Sequence, residues 1–338
     1  MEILRYAGFA EEETFAESPA PGADFCVDET SASLDAATET QIVYEGSLGR
    51  GSRVHRPGFY TVDGDIEYAF DARTIGWLLK WALGGYAFSG SGPYTHELYG
   101  TDDVFLPSFA CHLGKDKIDG TDFEHVFSGC VLDSLELSVE DGYTMAKAAI
   151  KAAKDTKGTI LARSAVEALL PDEYPLVFHE VTVNRQNSDI TAKVKGLSLE
   201  VGNSLSPEAG RSLGSRFARR IPAGAREVKL SLNMYYEDLD TLALLWGAES
   251  GPSDDGTTEV PIVITFDAGD DGSMDITIPR FVLSQAPLQP SGKDEIEMGT
   301  EGVAITDAIL LADEVTTVYS ELLVTLENDQ DEMTVGGS

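Results

Sequence analysis

Positive charge is scarce in this chain of 338 residues, where 24 Lys and Arg face 58 Asp and Glu for a formal charge of -34. Such a field opposes non-specific binding to nucleic acid. Its self-repulsion is tolerated where salt screens it, since the Debye length falls to about 3 Å at molar ionic strength. The simplest reading is a halophile's protein, and a surface built to repel nucleic acid is compatible with it. Cysteine is scarcer still: Cys26, Cys111 and Cys130 have no CxxC spacing and cannot all pair, which points to reduced, packed thiols and assembly in a cytoplasm. No stretch approaches the ~20 apolar residues of a membrane span. The start, MEILRYAGFAEEE, lacks a basic region followed by an apolar run, so a soluble chain without an export leader or membrane insertion is expected. The five histidines show no metal-pair spacing and no glycine loop is built to cradle phosphate, so no metal, cofactor or catalytic residue is expected.

What the chain does have is a unit that occurs twice. Residues 196–247 read as GLSLEVGNSL, a loop, REVKLSLNMYY and EDLDTLALLWG. Leu197, Leu199 and Val201 alternate with Ser198 and Glu200, and Val228, Leu230, Leu232 and Met234 alternate with Glu227, Lys229, Ser231 and Asn233, as in half-buried strands. Leu239, Leu242, Ala243 and Trp246 then form one helical stripe, capped at Asp238 and stopped by Gly247. Earlier, SLGRGSRVHRPG (47–58) parallels SLGSRFARRIPAG (212–224). It leads into the alternating YTVDGDIEYAF and a helix, DARTIGWLLKWALG, with Ile75, Leu78, Leu79 and Ala82 on one stripe between Asp71 and Gly84. All three tryptophans lie in these two helices. The shared order predicts an internal duplication. The alternative is two unrelated hairpin–helix units in one β-rich domain.

In chain order, residues 1–30 mix acids and prolines with little periodicity and read as an arm. A first β domain is expected over 31–158, with a helix at 71–83, a linker over 159–175, a second β domain over 176–328 with a helix at 238–246, and a flexible tail at 329–338. Many short strands, regular turn signals and one short helix per half give an all-β fold of two tandem sandwiches or barrels. Residues 143–155, YTMAKAAIKAAKD, suit a helix by composition. The Asp141-Gly142 turn just before them favours the return strand of a hairpin.

Two motifs suggest chemistry and neither holds locally. Gly210-Arg211-Ser212-Leu213-Gly214 matches G-x-S-x-G, but SPEA stands where a buried strand is needed and an Arg-rich loop where a helix is. The acids Asp267, Asp270, Asp271 and Asp275 resemble a calcium loop, yet Ile278 occupies the place of the bidentate Glu, so a hairpin turn is expected there.

Eight of thirteen arginines fall in two loops: Arg50, Arg53 and Arg56, accompanied by His55, and Arg211, Arg216, Arg219, Arg220 and Arg226. They could balance acids of their own subunit, bind nucleic acid, or dock on the acidic face of another copy. The net charge ranks self-association above DNA binding. Arg also suits interface carboxylates through its bidentate fork.

The order SLGRGSRVHRPGFYTVDGDIEY, DARTIGWLLKWALG, FLPSFACHLGKD and HVFSGCVLDSLELSVEDG resembles the major tail tube proteins of long-tailed double-stranded DNA viruses. LSLEVGNSL, IPAGAREVKLSLNMYYEDLDTLALLWG and SMDITIPRFVLS continue the likeness, which spans most of 40–327, and the acidity points to a haloarchaeal host. The resemblance implies β-sandwich domains joined laterally into rings around an inner barrel through which viral DNA passes without specific binding. It implies ring-stacking loops at 46–60 and 202–226, holding Arg50, Arg53, His55, Arg56, Arg211, Arg216, Arg219 and Arg220. It also implies lumen-facing Asp63, Asp65, Glu67, Glu200 and Glu227. Six domains around the axis make three chains per ring, in contact with other tail and tail-end proteins. The rival reading is a haloarchaeal β-sandwich surface or binding protein, which needs an export signal.

Overall fold

A computed structural model describes residues 5–17, 23–43, 54–115, 123–140, 142–171, 174–254, 256–289 and 296–333. The first half runs β1 Arg5–Glu11, β2 Phe25–Val27, β3 Glu29–Val43, β4 Val54–Ala69, α1 Thr74–Leu83, β5 Gly84–Gly90, β6 Tyr94–Gly100, β7 Phe109–Lys115, β8 Phe123–Val139, β9 Met145–Ala152 and β10 Lys154–Gly158. After α2 (Arg163–Glu167) come β11 Val181–Arg185, β12 Ser188–Asp189, β13 Val194–Gly202, β14 Glu227–Tyr235, α3 Asp240–Trp246, β15 Glu259–Asp267, β16 Ser273–Gln285, β17 Leu288–Gln289, β18 Glu297–Ala304, β19 Asp307–Leu310, β20 Thr317–Ser320 and β21 Leu323–Asn328. The fold is all-β, with large antiparallel sheets, as the alternation predicted.

Local chemistry accounts for most of these elements. In β4, Val62, Ile66 and Tyr68 are buried while Asp63, Asp65 and Glu67 face the other way. The Ala-Lys run of 145–152 is the expected strand: Ala146, Ala148, Ile150 and Ala152 are buried, and the lysines alternate to the opposite face. A helix would also set Lys147 and Lys151 on one face, four positions apart, so it is the burial of every second residue that marks the strand. The first turn of α1 is held by Asp71, whose Oδ1 accepts the Thr74 N–H at 2.8 Å, and the helix stops at Gly84 in the left-handed region, φ 87°. Its Trp81 stacks on Phe109 at 4.2 Å and contacts Phe9 and Phe25. Truncating so enclosed a ring to Ala costs about 3–5 kcal/mol.

The chain ends are more structured than their composition suggests. Residues 5–11, expected within an arm, form a strand hydrogen-bonded on both sides, to β2 and to β7, with Phe9 and Ala10 fully buried. Strand structure resumes within the expected arm, at Phe25 in β2 and Glu29 in β3. Within the expected tail Met333 is buried, and its carbonyl accepts from Lys80 Nζ at 2.6 Å.

The sheets of the two halves have the same plan. One set of strands pairs in the order β3–β4–β9–β8 in the first half and β13–β14–β18–β16 in the second. The other set reads β1–β7–β8–β10 and β11–β15–β16–β21. β8 and β16 thus each serve both sets, and each is broken by two register shifts at matching places. Phe127, Cys130, Leu132 and Ser134 bound the shifts of β8, and Ile278, Phe281, Leu283 and Gln285 bound those of β16, every pair 151 positions apart (278 less 127, 285 less 134). Among the described residues two ladders join the halves: β8 pairs with β13, and β6 with β21. Most of the buried apolar residues, Ala7 and Met333 among them, form one connected cluster across both halves, with two smaller clusters around Val131 and Cys26.

Candidate functional site

Because side chains alternate along a strand, registered pairs share a face. The ladder Ser31, Glu67, Lys147, Glu136, Glu200 and Lys229 therefore crosses β3, β4, β9, β8, β13 and β14 as one polar row. The next row is Ser33, Asp65, Ala149, Ser134, Gly202 and Glu227. All five acids expected to share a surface, Asp63, Asp65, Glu67, Glu200 and Glu227, lie on this one face. Its reverse carries buried Val62, Ile66, Ile150, Leu137, Leu199 and Leu230. The polar face is concave, forming a trough bordered by Glu67, Glu136, Ser198, Asn233 and Glu301.

The face is not purely acidic. Lys147 lies 3.7 Å from Asp65, Lys151 2.8 Å from Asp133, and Lys229 2.9 Å from Glu227. The hydrogen bond to Glu227 holds Lys229 above the ordinary lysine range. Acids remain in excess, but β9 and β14 present cations on this face that sequence reasoning set aside. The available signal was the period of two in 145–152, which sets Lys147 and Lys151 on the face opposite Ala146, Ala148, Ile150 and Ala152.

Both basic segments connect strands at the same end of this sheet: one between β3 and β4, the other between β13 and β14. Arg50 and Arg53 lie outside the described residues, and His55 and Arg56 are exposed at the start of β4. The second loop, 203–226, has a single 3-10 turn at Pro207–Gly210 and leans on the first half. Arg211 bonds Glu39 at 2.8 Å and lies 4.2 Å over the Phe59 ring. Arg216 donates to Gly58 O at 3.1 Å and accepts, through its own carbonyl, the Tyr60 N–H. Arg220 covers Phe105, and Arg226 pairs with Glu321 at 2.9 Å. Arg211 and Arg226 thus balance acids of their own subunit. Arg219 is exposed, and Leu213 at the loop tip is wholly so, beside Gly214 at φ 86°. Ser212, the centre of the G-x-S-x-G match, is exposed between a 3-10 turn and a further turn, with none of the strand-to-helix geometry of a nucleophile elbow. Asp267, Asp270 and Asp271 form the β15–β16 hairpin turn.

Residues 4–316 match the family model described as phage tail tube protein. The chain belongs to that family. No curated protein matches it. A phage tail tube protein is a structural component of a virion tail. The three thiols of this tail tube protein are buried, and burial pushes Cys26 up to about 12. That leaves them unreactive at neutral pH.

Proposed function

We propose that this tail tube protein polymerises as stacked rings whose inner wall is the concave polar sheet, and that the viral genome passes over that wall without specific binding. The carrying observation is a single polar face that runs unbroken from β3 through the β8–β13 junction to β18, so that both halves contribute to one wall. Neighbouring lysines neutralise part of its acids but leave no basic track. A wall that neutralised phosphates would add roughly one unit to the salt slope of binding per contact and act as a brake.

The matched strand order and register shifts support an internal duplication, one tube domain over 31–158 and one over 176–328. With six domains around the axis, three chains close a ring that is pseudo-hexameric. The end that carries His55, Arg56, Arg211, Arg216, Arg219 and Arg220, and with them Arg50 and Arg53, meets the next ring. The charge of -34 supports a haloarchaeal virus with a long tail, and the buried thiols support synthesis in the host cytoplasm. Other tail proteins meet the tube at its ends.

Electron microscopy of the purified protein at molar salt tests the reading: tubes with three chains per ring are expected. Six chains per ring, with the second half outside the channel, overturns the stoichiometry, and dispersed monomers overturn the assembly. Dilution of salt should dissolve the tubes and then the secondary structure, and an unchanged circular dichroism spectrum would remove the halophilic reading.

A further inference from the structure

The concave sheet has two ends, β3 on one side and β16 with β17 on the other. Among the described residues the outer edge of β3 has no ladder partner, and residues 283–289 pair only inward, with β18. β17 continues β16 in one register, Gln285 opposite Glu301 and Leu288 opposite Met298. A long bare edge is a template for another strand.

The chain contains its own pattern for that strand. Inside it, residues 134–139 of β8 pair with 202–197 of β13: Ser134 with Gly202, Leu135 with Val201, Leu137 with Leu199. By the shared register shifts, Ser134, Leu135 and Leu137 correspond to Gln285, Ala286 and Leu288. By their places beside β4 and β14, whose partners on β9 and β18 correspond, Val201 and Leu199 correspond to Ala36 and Leu34. Burial marks what is missing. Leu137 and Val201, at the internal junction, are each 1 % exposed. Their counterparts Leu288, on the core side beside buried Met298, and Ala36 are exposed, Leu288 by 40 %.

We propose that the free edge of β16 and β17 pairs antiparallel with the free edge of β3 of a second copy of this chain, in the register Gln285 to Ala37, Ala286 to Ala36 and Leu288 to Leu34. The register rests on the β8–β13 junction, and it deepens the ring reading by naming the contact between chains. Gln285 and Ala37 then extend the polar face, while on the core side Leu34 covers Leu288 and Ala286 covers Ala36. Pro287 has no N–H to give and splits the edge, as prolines in sheets do only at edges. The contact is head-to-tail, since the two edges differ, so it closes into a ring or propagates.

Directly opposed residues of an antiparallel pair have Cα atoms about 4.5–5.5 Å apart, within disulfide reach. Chains carrying Ala37→Cys should therefore cross-link to chains carrying Gln285→Cys when the two are mixed and oxidised at molar salt. Neither variant should dimerise alone, and the three native thiols are buried and do not compete. Pairing Ala36→Cys with Gln285→Cys should fail, because those side chains face opposite sides. Both exposed sites leave the core intact, and circular dichroism checks it. Rings without the cross-link overturn the register and leave the ring reading standing. The cross-link in open filaments upholds the contact and overturns the ring. Cross-linking of either variant with itself, or no cross-link and no assembly, overturns the proposal.

Discussion

Glu136 and Glu200 stand directly opposite each other across the strand pair that joins the two halves, with Lys147 beyond the first and Lys229 beyond the second. Two like charges in register are unfavourable. The flanking lysines offset them, and Ser198 donates to Glu136 at 2.8 Å. Single changes to Gln should therefore move stability little, since each removes one repulsion and one attraction. A double-mutant cycle over Glu136→Gln and Glu200→Gln should nevertheless report a repulsive coupling of about 0.2–1 kcal/mol at low salt. At molar salt it should vanish. An attractive coupling would mean that the two carboxylates share a bound cation.

Arg219→Glu together with Arg220→Glu should separate folding from stacking. The exposed cation over Phe105 accounts for about 0.5–1 kcal/mol of fold stability. Like charges introduced at a contact between rings should prevent tube growth. Sedimentation and electron microscopy are expected to show folded subunits or single rings, and full-length tubes from the double mutant would show that these loops face elsewhere.

Glu12 holds the first register shift of β8. Its Oε1 accepts the Gly129 N–H at 2.9 Å, and its Oε2 accepts from Ser108 Oγ at 2.8 Å and Ala16 N–H at 2.9 Å. Burial raises this carboxyl despite the three donors. Glu12→Ala leaves those donors unpaired in the interior and should cost about 3 kcal/mol in urea unfolding at fixed high salt. A loss below about 0.5 kcal/mol would mean that water replaces the carboxylate.

His96 ties the chain's end to the fold. Its Nε2 faces two acceptors, Asn328 Oδ1 at 3.1 Å and Gln330 O at 3.0 Å, while Nδ1 lies 3.0 Å from Tyr86 Oη, which itself accepts the Met333 N–H. This arrangement fits the neutral ring with its proton on Nε2. Burial lowers the affinity of His96 for a second proton, against smaller opposing effects of its hydrogen bonds. With the folded value below the unfolded one of about 6.5, the contribution of His96 is present above that pH and is lost as pH falls toward the folded value. Buried Glu11, Glu12 and Asp24 are raised and act in the opposite sense, so the comparison should be with His96→Phe. The variant should be less stable by about 1–3 kcal/mol at pH 7.5, and the gap should narrow by pH 5. Parallel melting curves across that range would show that His96 does not titrate there.

The sequence made legible those strands whose two faces differ. β4, β13 and β14 alternate apolar with charged residues, which gave each strand its polar face, while the resemblance to tail tube proteins supplied the expectation that their acids share one surface. β1 was missed because it is covered on both faces. RYAGFAE has no period of two, and its buried Glu11 looks like a surface residue until Lys80 is placed 2.7 Å away by a helix 69 positions later in the chain. For β9 the alanines alone suit a helix, and the Asp141-Gly142 turn signal pointed instead to the strand that forms, with Ala148 and Ala146 in register with Leu135 and Leu137. The pairing of β6 with β21 joins residues more than 220 positions apart, and no local pattern announces it.

The β8–β13 ladder is made within one chain, so it forms at an effective concentration set by the segment that joins the two strands, whatever the concentration of subunits. The matching ladder between chains forms only at the bulk concentration of subunits. Two junctions alike in register then differ in reaction order: one closes as the chain folds, and the other waits for a collision. In a tube of such subunits, growth rate depends on concentration through every second junction, and fracture under load begins at the junctions that no covalent segment spans.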